Sequence, residues 1–116
     1  DMIMAAHLHC TCFDKEIIPT SLSKNALSYL RNELNYKGVI ISDDMVMKGI
    51  QYPAGEACIK GIEAGLNILL YRKADDISLS AIEDVIRYAE KHTDFREKIE
   101  YSYNLITNLK IKYKIL

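Results

Sequence analysis

The segment Gly38–Gly49, which reads GVIISDDMVMKG, decides the fold of this chain. Its apolar part, Val39–Ile41, is a short β-branched run after a glycine, and such a run predicts a buried strand of a parallel sheet. Asp43 and Asp44 then fall at the carboxyl end of that strand. In α/β sheets and barrels, the carboxyl ends of the strands form the edge at which chemistry takes place. The segment therefore predicts an α/β fold with a candidate catalytic carboxylate at its functional edge.

Strand and helix signals alternate on both sides of this segment, with a period of about 30 residues. The predicted strands are Met2–Ala6, Val39–Ile41 and Asn67–Tyr71, and the predicted helices run from Ser21 or Ser23 to about Tyr36, from about Ala54 to Ala64, from Asp75 or Asp76 to about Lys91, and from about Asp94 onward. Three such βα units imply a parallel sheet. Because a complete eight-unit barrel takes roughly 250 residues, we predict a partial TIM (β/α)8 barrel: three parallel βα units, the last strands of the barrel, plus a C-terminal helix. Three parallel strands cannot close, so the sheet should expose its edges.

Composition narrows the class of protein. About half of the 116 residues are apolar, and 15 basic residues nearly balance 16 acidic ones, which is typical of a soluble globular domain. We predict no nucleic-acid partner, because the only basic run, at Lys110, Lys112 and Lys114, is typical of the solvated face of a terminal helix. We predict no membrane partner, because no apolar stretch approaches the roughly 20 residues that span a bilayer.

The cysteine count and the N-terminus bear on location and completeness. Three cysteines, an odd number, argue against a disulfide framework and favour a reducing compartment. No signal-peptide zones are evident, so we expect a cytoplasmic location. The chain begins with Asp1 rather than Met, which indicates a fragment.

Several sequence blocks follow one another in a characteristic order and spacing. They are DMIMAAH at 1–7, IPTSLS at 18–23, LRNEL at 30–34 and GVIISDDMVMKG at 38–49, continued by EA at 56–57, EAGLNILL at 63–70 and LKIKY at 109–113. Together they resemble the C-terminal third of the catalytic barrel of glycoside hydrolase family 3, in its β-N-acetylglucosaminidase branch. Residues 1–116 would then be a single segment, the C-terminal part of that family's N-terminal catalytic barrel. Asp44 resembles the hexosaminidase branch, since β-glucosidase relatives usually carry Trp there.

The resemblance implies a retaining mechanism in which Asp43 is the nucleophile and forms a covalent glycosyl-enzyme. The residues support this independently, because a nucleophilic carboxylate should be ionised, fixed at a rigid strand end and opposed by a separate proton donor. Side chains alternate faces along a strand, so Asp44 should point elsewhere and orient the following loop by hydrogen bonding. The alternative is that this strand-end carboxylate is only a helix cap or a loop carboxylate.

The resemblance also implies a substrate and a missing partner. The expected substrate is a terminal β-N-acetylglucosaminide, in the turnover of cell-wall peptidoglycan fragments, and no metal or organic cofactor is implied. Members of this branch carry a glycine-rich loop with a Lys-His sugar-binding pair and a His-Asp acid/base, and no such segment occurs here. The chain should therefore need the remainder of the barrel as a partner, and we expect little or no hydrolysis by it alone.

His7 follows the first predicted strand, on the same edge as Asp43. It is a candidate substrate-binding residue that lines the sugar pocket. The alternative is a histidine that is packed and hydrogen-bonded at the barrel rim.

Four potential metal ligands crowd into six residues at His7, His9, Cys10 and Cys12. Structural zinc usually takes cysteine pairs two to four residues apart with a second pair far along the chain. An extended Cys-x-Cys run would also hold a metal poorly, and the family pattern here is usually Tyr-Pro, so we predict no metal. Cys58 is most simply a small buried apolar residue.

Two other classes remain as alternatives. A phosphoacceptor receiver domain also places an Asp at a strand end, but it needs about five strands and an acidic pair after the first strand to bind Mg²⁺. Here His7 follows the first strand. The other alternative is a noncatalytic remnant, or the packing half of a split hydrolase.

Overall fold

The computed structural model describes all of residues 1–116 as an alternation of strands and helices. The elements are β1 (Met2–Ala5), α1 (Lys24–Asn32), β2 (Val39–Asp44), α2 (Ala54–Ala64), β3 (Ile68–Leu70), α3 (Asp76–Lys91) and α4 (Thr93–Lys112), with a short 3₁₀ turn at Thr20–Leu22 before α1. The three βα units and the closing helix predicted from the sequence are confirmed.

The sheet is parallel, with β2 in the centre between β1 and β3. In the central strand, Val39 and Ile40 are only 1% and 0% exposed, as expected for a strand covered on both faces. In the edge strand β1, by contrast, Met2 and Met4 are 48% and 55% exposed. Because β1 pairs with β2 alone, its outer edge is open as predicted, and the exposed side chains of this strand are large and apolar.

Two apolar clusters hold the helices on the sheet. One is formed by Ala5, Leu27, Ile40, Ala64 and Leu66, and the other by Leu22, Met45, Ala57, Cys58 and Ala81. Burial of apolar surface in such clusters is the main favourable contribution to folding. None of the helices combines the length and the apolar content that crossing a membrane requires.

The bounds of the helices follow local signals in most places. α2 ends at Gly65, whose φ of 122° suits glycine, and α3 begins with a capping box between Asp75 and Ser78. The predicted end of α1 near Tyr36 was wrong, because the helix stops at Asn32 and Asn35 takes a left-handed φ of 51°.

Asn67 joins four elements at the start of β3. Its backbone N–H donates to the carbonyl of Ile40 at 2.9 Å, and its Oδ1 accepts the N–H of Ile40 at 2.8 Å. The same Oδ1 accepts from Arg31 of α1 at 2.8 Å, and its Nδ2 donates to Ser102 of α4 at 3.0 Å. One side chain thus ties both flanking helices to the central strand.

Candidate functional site

The carboxyl ends of the three strands meet at one edge of the sheet. Asp43 and Asp44 are the last two residues of β2, and Asp44 pairs with Leu70 at the end of β3. His7 follows β1 by two residues and Arg72 follows β3 by two. Because the strands are parallel, these polar side chains gather at one rim.

Asp43 is half-buried and has no ion-pair partner. Its Oδ1 accepts the N–H of Asp44 at 2.7 Å. The strand beneath it is tied to β3, since the buried Ser42 accepts the N–H of Leu70 through its Oγ at 2.9 Å. The predicted carboxylate therefore stands at the end of a fixed strand, and its role as nucleophile stays a prediction.

Asp44 makes the loop contacts that the alternation of side chains predicts. It is 8% exposed, and its Oδ1 accepts the N–H of Val46 at 3.2 Å. Its Oδ2 lies 3.2 Å from Nε of Arg72. The Arg72 side chain is 72% exposed, so this ion pair adds little stability and serves mainly to fix the orientation of the carboxylate.

Sequence reasoning did not include Arg72. The same rule that selected Asp43, a polar residue just past the carboxyl end of a strand, also applies two residues beyond β3. Applied after the third strand as well as after the first two, the rule would have selected Arg72.

The His7 ring is held at both nitrogens. Its Nε2 lies 3.0 Å from the carbonyl oxygen of Asp44, and its Nδ1 lies 2.6 Å from Oγ of Ser21. Since a carbonyl can only accept, Nε2 carries the proton, and in the neutral ring Nδ1 accepts from the Ser21 hydroxyl. His7 also lines a cavity with Gly49 and Tyr52 that does not include Asp43. Its two hydrogen bonds favour the packed and hydrogen-bonded alternative, and substrate contact by His7 stays a prediction.

The four potential metal ligands His7, His9, Cys10 and Cys12 do not form one group in the structure. Both His7 nitrogens are engaged as described, and Nδ1 of His9 lies 3.3 Å from the backbone N of Ile18. No group of three or more His, Cys, Asp or Glu side chains is arranged to hold a metal ion. Cys10 and Cys12 do not lie in an extended run, because a turn brings their Sγ atoms within 2.6 Å of each other.

A family model supplies the deciding comparison, because the glycosyl hydrolase family 3 N-terminal domain matches residues 1–108. The chain belongs to glycosyl hydrolase family 3. A β-hexosaminidase of Actinobacillus pleuropneumoniae serotype 5b (strain L20) is 44% identical over 71 residues, which are 59% of this chain and 20% of that protein. A β-hexosaminidase of Vibrio cholerae serotype O1 (strain Classical Ogawa 395) is 27% identical over 113 residues, which are 94% of this chain and 34% of that protein.

Solved structures agree with this family 3 assignment. A family 3 β-N-acetylglucosaminidase from Paenibacillus sp. FPU-7 superimposes with a TM-score of 0.87 at 29% identity, covering 95% of this chain and 22% of that one. The chain thus spans between a fifth and about a third of the length of these relatives.

This family 3 chain places a buried thiol against a partly buried phenol. The thiol of Cys58 is 3.1 Å from the hydroxyl of Tyr71. Burial raises the pKa of both groups above their ordinary values. Cys58 is 2% exposed, which confirms it as a small buried core residue.

We predict that His7→Ala lowers the free energy of unfolding of this family 3 chain by about 1–3 kcal/mol, since it leaves the buried Ser21 hydroxyl without its partner. Urea unfolding followed by circular dichroism would measure the change. His9→Ala is the matched control, because His9 is exposed, and it should change the unfolding free energy by less than about 0.5 kcal/mol. Equal decreases in the unfolding free energy of the two variants would contradict a structural role for the hydrogen bond between His7 and Ser21.

Proposed function

We propose that this chain is the C-terminal part, strands six to eight, of the catalytic barrel of a retaining β-N-acetylhexosaminidase, with Asp43 as its nucleophile. The observation that carries the proposal is the position of Asp43, at the carboxyl end of the central strand of a family 3 domain. Two relatives are named β-hexosaminidases and one solved neighbour a β-N-acetylglucosaminidase, which supports a terminal β-N-acetylglucosaminide as the substrate.

The local geometry suits nucleophilic attack. The N–H of Asp44 donates to Oδ1 of Asp43 and holds that oxygen in place, and no Lys or Arg side chain forms an ion pair with Asp43. In the proposed reaction an Asp43 oxygen attacks the anomeric carbon as the glycosidic bond breaks. Water then hydrolyses the glycosyl-aspartate ester and releases the sugar with retained configuration.

The proton donor has to come from elsewhere. The chain has three histidines, of which His7 is occupied at both nitrogens and the exposed His9 accepts the N–H of Ile18 at its Nδ1, at 3.3 Å. His92 lies beyond α3, where its Nδ1 is 2.8 Å from the carbonyl of Tyr88. Loss of general acid/base help typically lowers a rate by about 10² to 10⁴, so the chain is proposed to be inactive without the remainder of the barrel.

The exposed edge of the sheet is the surface against which the remainder of the barrel is proposed to pack. Met2, Ile3 and Met4 of β1 are 39–55% exposed, and an uncovered strand invites pairing. The neighbouring barrel strand is the occupant we propose for this edge. A role in cytoplasmic turnover of peptidoglycan fragments is part of the proposal; N-acetylglucosamine is a component of that polymer, and the free cysteines suit a reducing compartment.

The test is hydrolysis of a chromogenic β-N-acetylglucosaminide by three samples: this chain, the barrel segment that precedes the matched region in the Vibrio cholerae relative, and their mixture. We expect activity in the mixture alone. Size-exclusion chromatography of the same samples establishes whether the two parts associate. An associated but inactive mixture, with both parts folded, would contradict the proposed activity and favour the noncatalytic packing role.

A further inference from the structure

The loop between β1 and α1 carries two thiols side by side. The Sγ atoms of Cys10 and Cys12 lie 2.6 Å apart, with Cys12 exposed and Cys10 partly so. A turn creates this approach, since the N–H groups of Phe13 and Asp14 both donate to the carbonyl of Cys10, at 3.1 and 3.3 Å. The two sulfurs therefore need almost no rearrangement to form a bond with each other.

The rest of the loop holds the turn in place. At its base, His9 and Pro19 form an isolated antiparallel β-bridge. The N–H of Thr20 donates to the carbonyl of Leu8 at 2.7 Å. Beyond the turn, the carboxylate of Asp14 accepts from Nδ2 of Asn25 at 2.8 Å. Because both ends are anchored, the thiols are preorganised, and little conformational entropy is lost when they react.

The two thiols differ in acidity in a way that divides their roles. The contact between the two thiols, together with nearby backbone N–H groups, lowers the pKa of the Cys10 thiol, whereas the same contact raises the pKa of the Cys12 thiol. Only a thiolate is nucleophilic. Cys10 is thus suited to attack first and Cys12 to act second.

We propose that Cys10 and Cys12 form a redox-active dithiol that is oxidised by low-molecular-weight disulfides such as glutathione disulfide. The Cys10 thiolate attacks one sulfur of the disulfide, forming a mixed disulfide and expelling one glutathione thiolate. Cys12 then loses its proton to solvent and attacks Sγ of Cys10, which expels the second glutathione thiolate. Two cysteine thiols are oxidised to one Cys10–Cys12 disulfide, and one glutathione disulfide is reduced to two glutathione molecules.

Trypsin separates the reacting thiols from the third cysteine, which makes the test direct. Lys15 is the first basic residue, so Cys10 and Cys12 share the peptide Asp1–Lys15, while Cys58 lies in Gly49–Lys60. After the reduced chain is incubated with glutathione disulfide, we expect Asp1–Lys15 to lose the mass of two hydrogens. Gly49–Lys60 should stay unmodified, because Cys58 is buried.

Single variants isolate the first step. Cys12→Ser should stop at the mixed disulfide with one glutathione on Cys10, and Cys10→Ser should stop with one glutathione on Cys12, because neither variant has the second thiol that closes the internal bond. Cys58→Ser is the matched control and should behave like the native chain. When the native chain is unfolded in urea, Cys10 and Cys58 should react with glutathione disulfide at the same rate.

Three results would overturn the proposal. They are an Asp1–Lys15 peptide that stays reduced, one that carries two glutathiones with no internal bond, and thiols that react no faster in the folded chain than in urea.

Discussion

In the reconstituted barrel, Asp43→Asn is expected to lower the hydrolysis rate of a β-N-acetylglucosaminide by about 10⁴-fold or more, the scale seen when an enzyme loses its nucleophile. Asparagine has nearly the shape of aspartate and can still accept the N–H of Asp44 through its side-chain oxygen. It carries no negative charge, however, and its amide oxygen is a poor nucleophile. The change therefore removes the proposed chemistry while it preserves the local structure.

Asp94→Asn provides the matched control. Asp94 is exposed in the first turn of α4, so the same chemical change there should leave the rate unchanged. Circular dichroism of both variants should match that of the native chain. A rate for Asp43→Asn within tenfold of the native mixture would contradict the assignment of Asp43.

A covalent readout tests the same carboxylate without relying on rate. An activated fluoroglycoside that slows the second step should trap the glycosyl-enzyme in the mixture. Trypsin cuts after Lys37 and Lys48, so the label is expected on the peptide 38–48, and fragmentation distinguishes Asp43 from Asp44. A label on Asp44, or on the partner segment, would assign the nucleophile elsewhere.

The sequence predicted those features that depend on neighbouring residues. Pro53 and Gly65 flank α2, whose predicted bounds, Ala54–Ala64, are confirmed. Asp43 lies at a strand end because a β-branched run precedes it, and both the strand and its parallel pairing are confirmed. Each of these conclusions needs only residues a few positions apart.

Features that depend on distant or unusual contacts were not predictable in this way. α1 ends early where Asn35 adopts a left-handed conformation, which no residue pattern required. The ion pair between Asp44 and Arg72 links the end of β2 to the residues after β3. The approach of Cys10 to Cys12 depends on a turn that composition does not reveal. Such features arise only once tertiary structure fixes which backbone groups face each other.

Asn67 is the residue whose structural importance the sequence least suggested, and Asn67→Ala is expected to lower the free energy of unfolding by about 3 kcal/mol. The change leaves the N–H of buried Ile40 without an acceptor and removes a hydrogen-bond acceptor of Arg31. Each buried group left unsatisfied costs about 1–3 kcal/mol, more when it is charged. Urea unfolding of the chain, followed by circular dichroism, measures the difference.

Two further variants separate the contributions. Asn104→Ala is the matched control, since Asn104 is exposed in α4, and it should be neutral or slightly stabilising because alanine favours helix. Asn67→Asp keeps an acceptor for Ile40 and Arg31 but loses the donor to Ser102, so it should fall between the native chain and Asn67→Ala. If Asn67→Asp were as unstable as Asn67→Ala, the link to α4 would be the dominant contact. If neither differed from Asn104→Ala, the helices would be held by the apolar clusters alone.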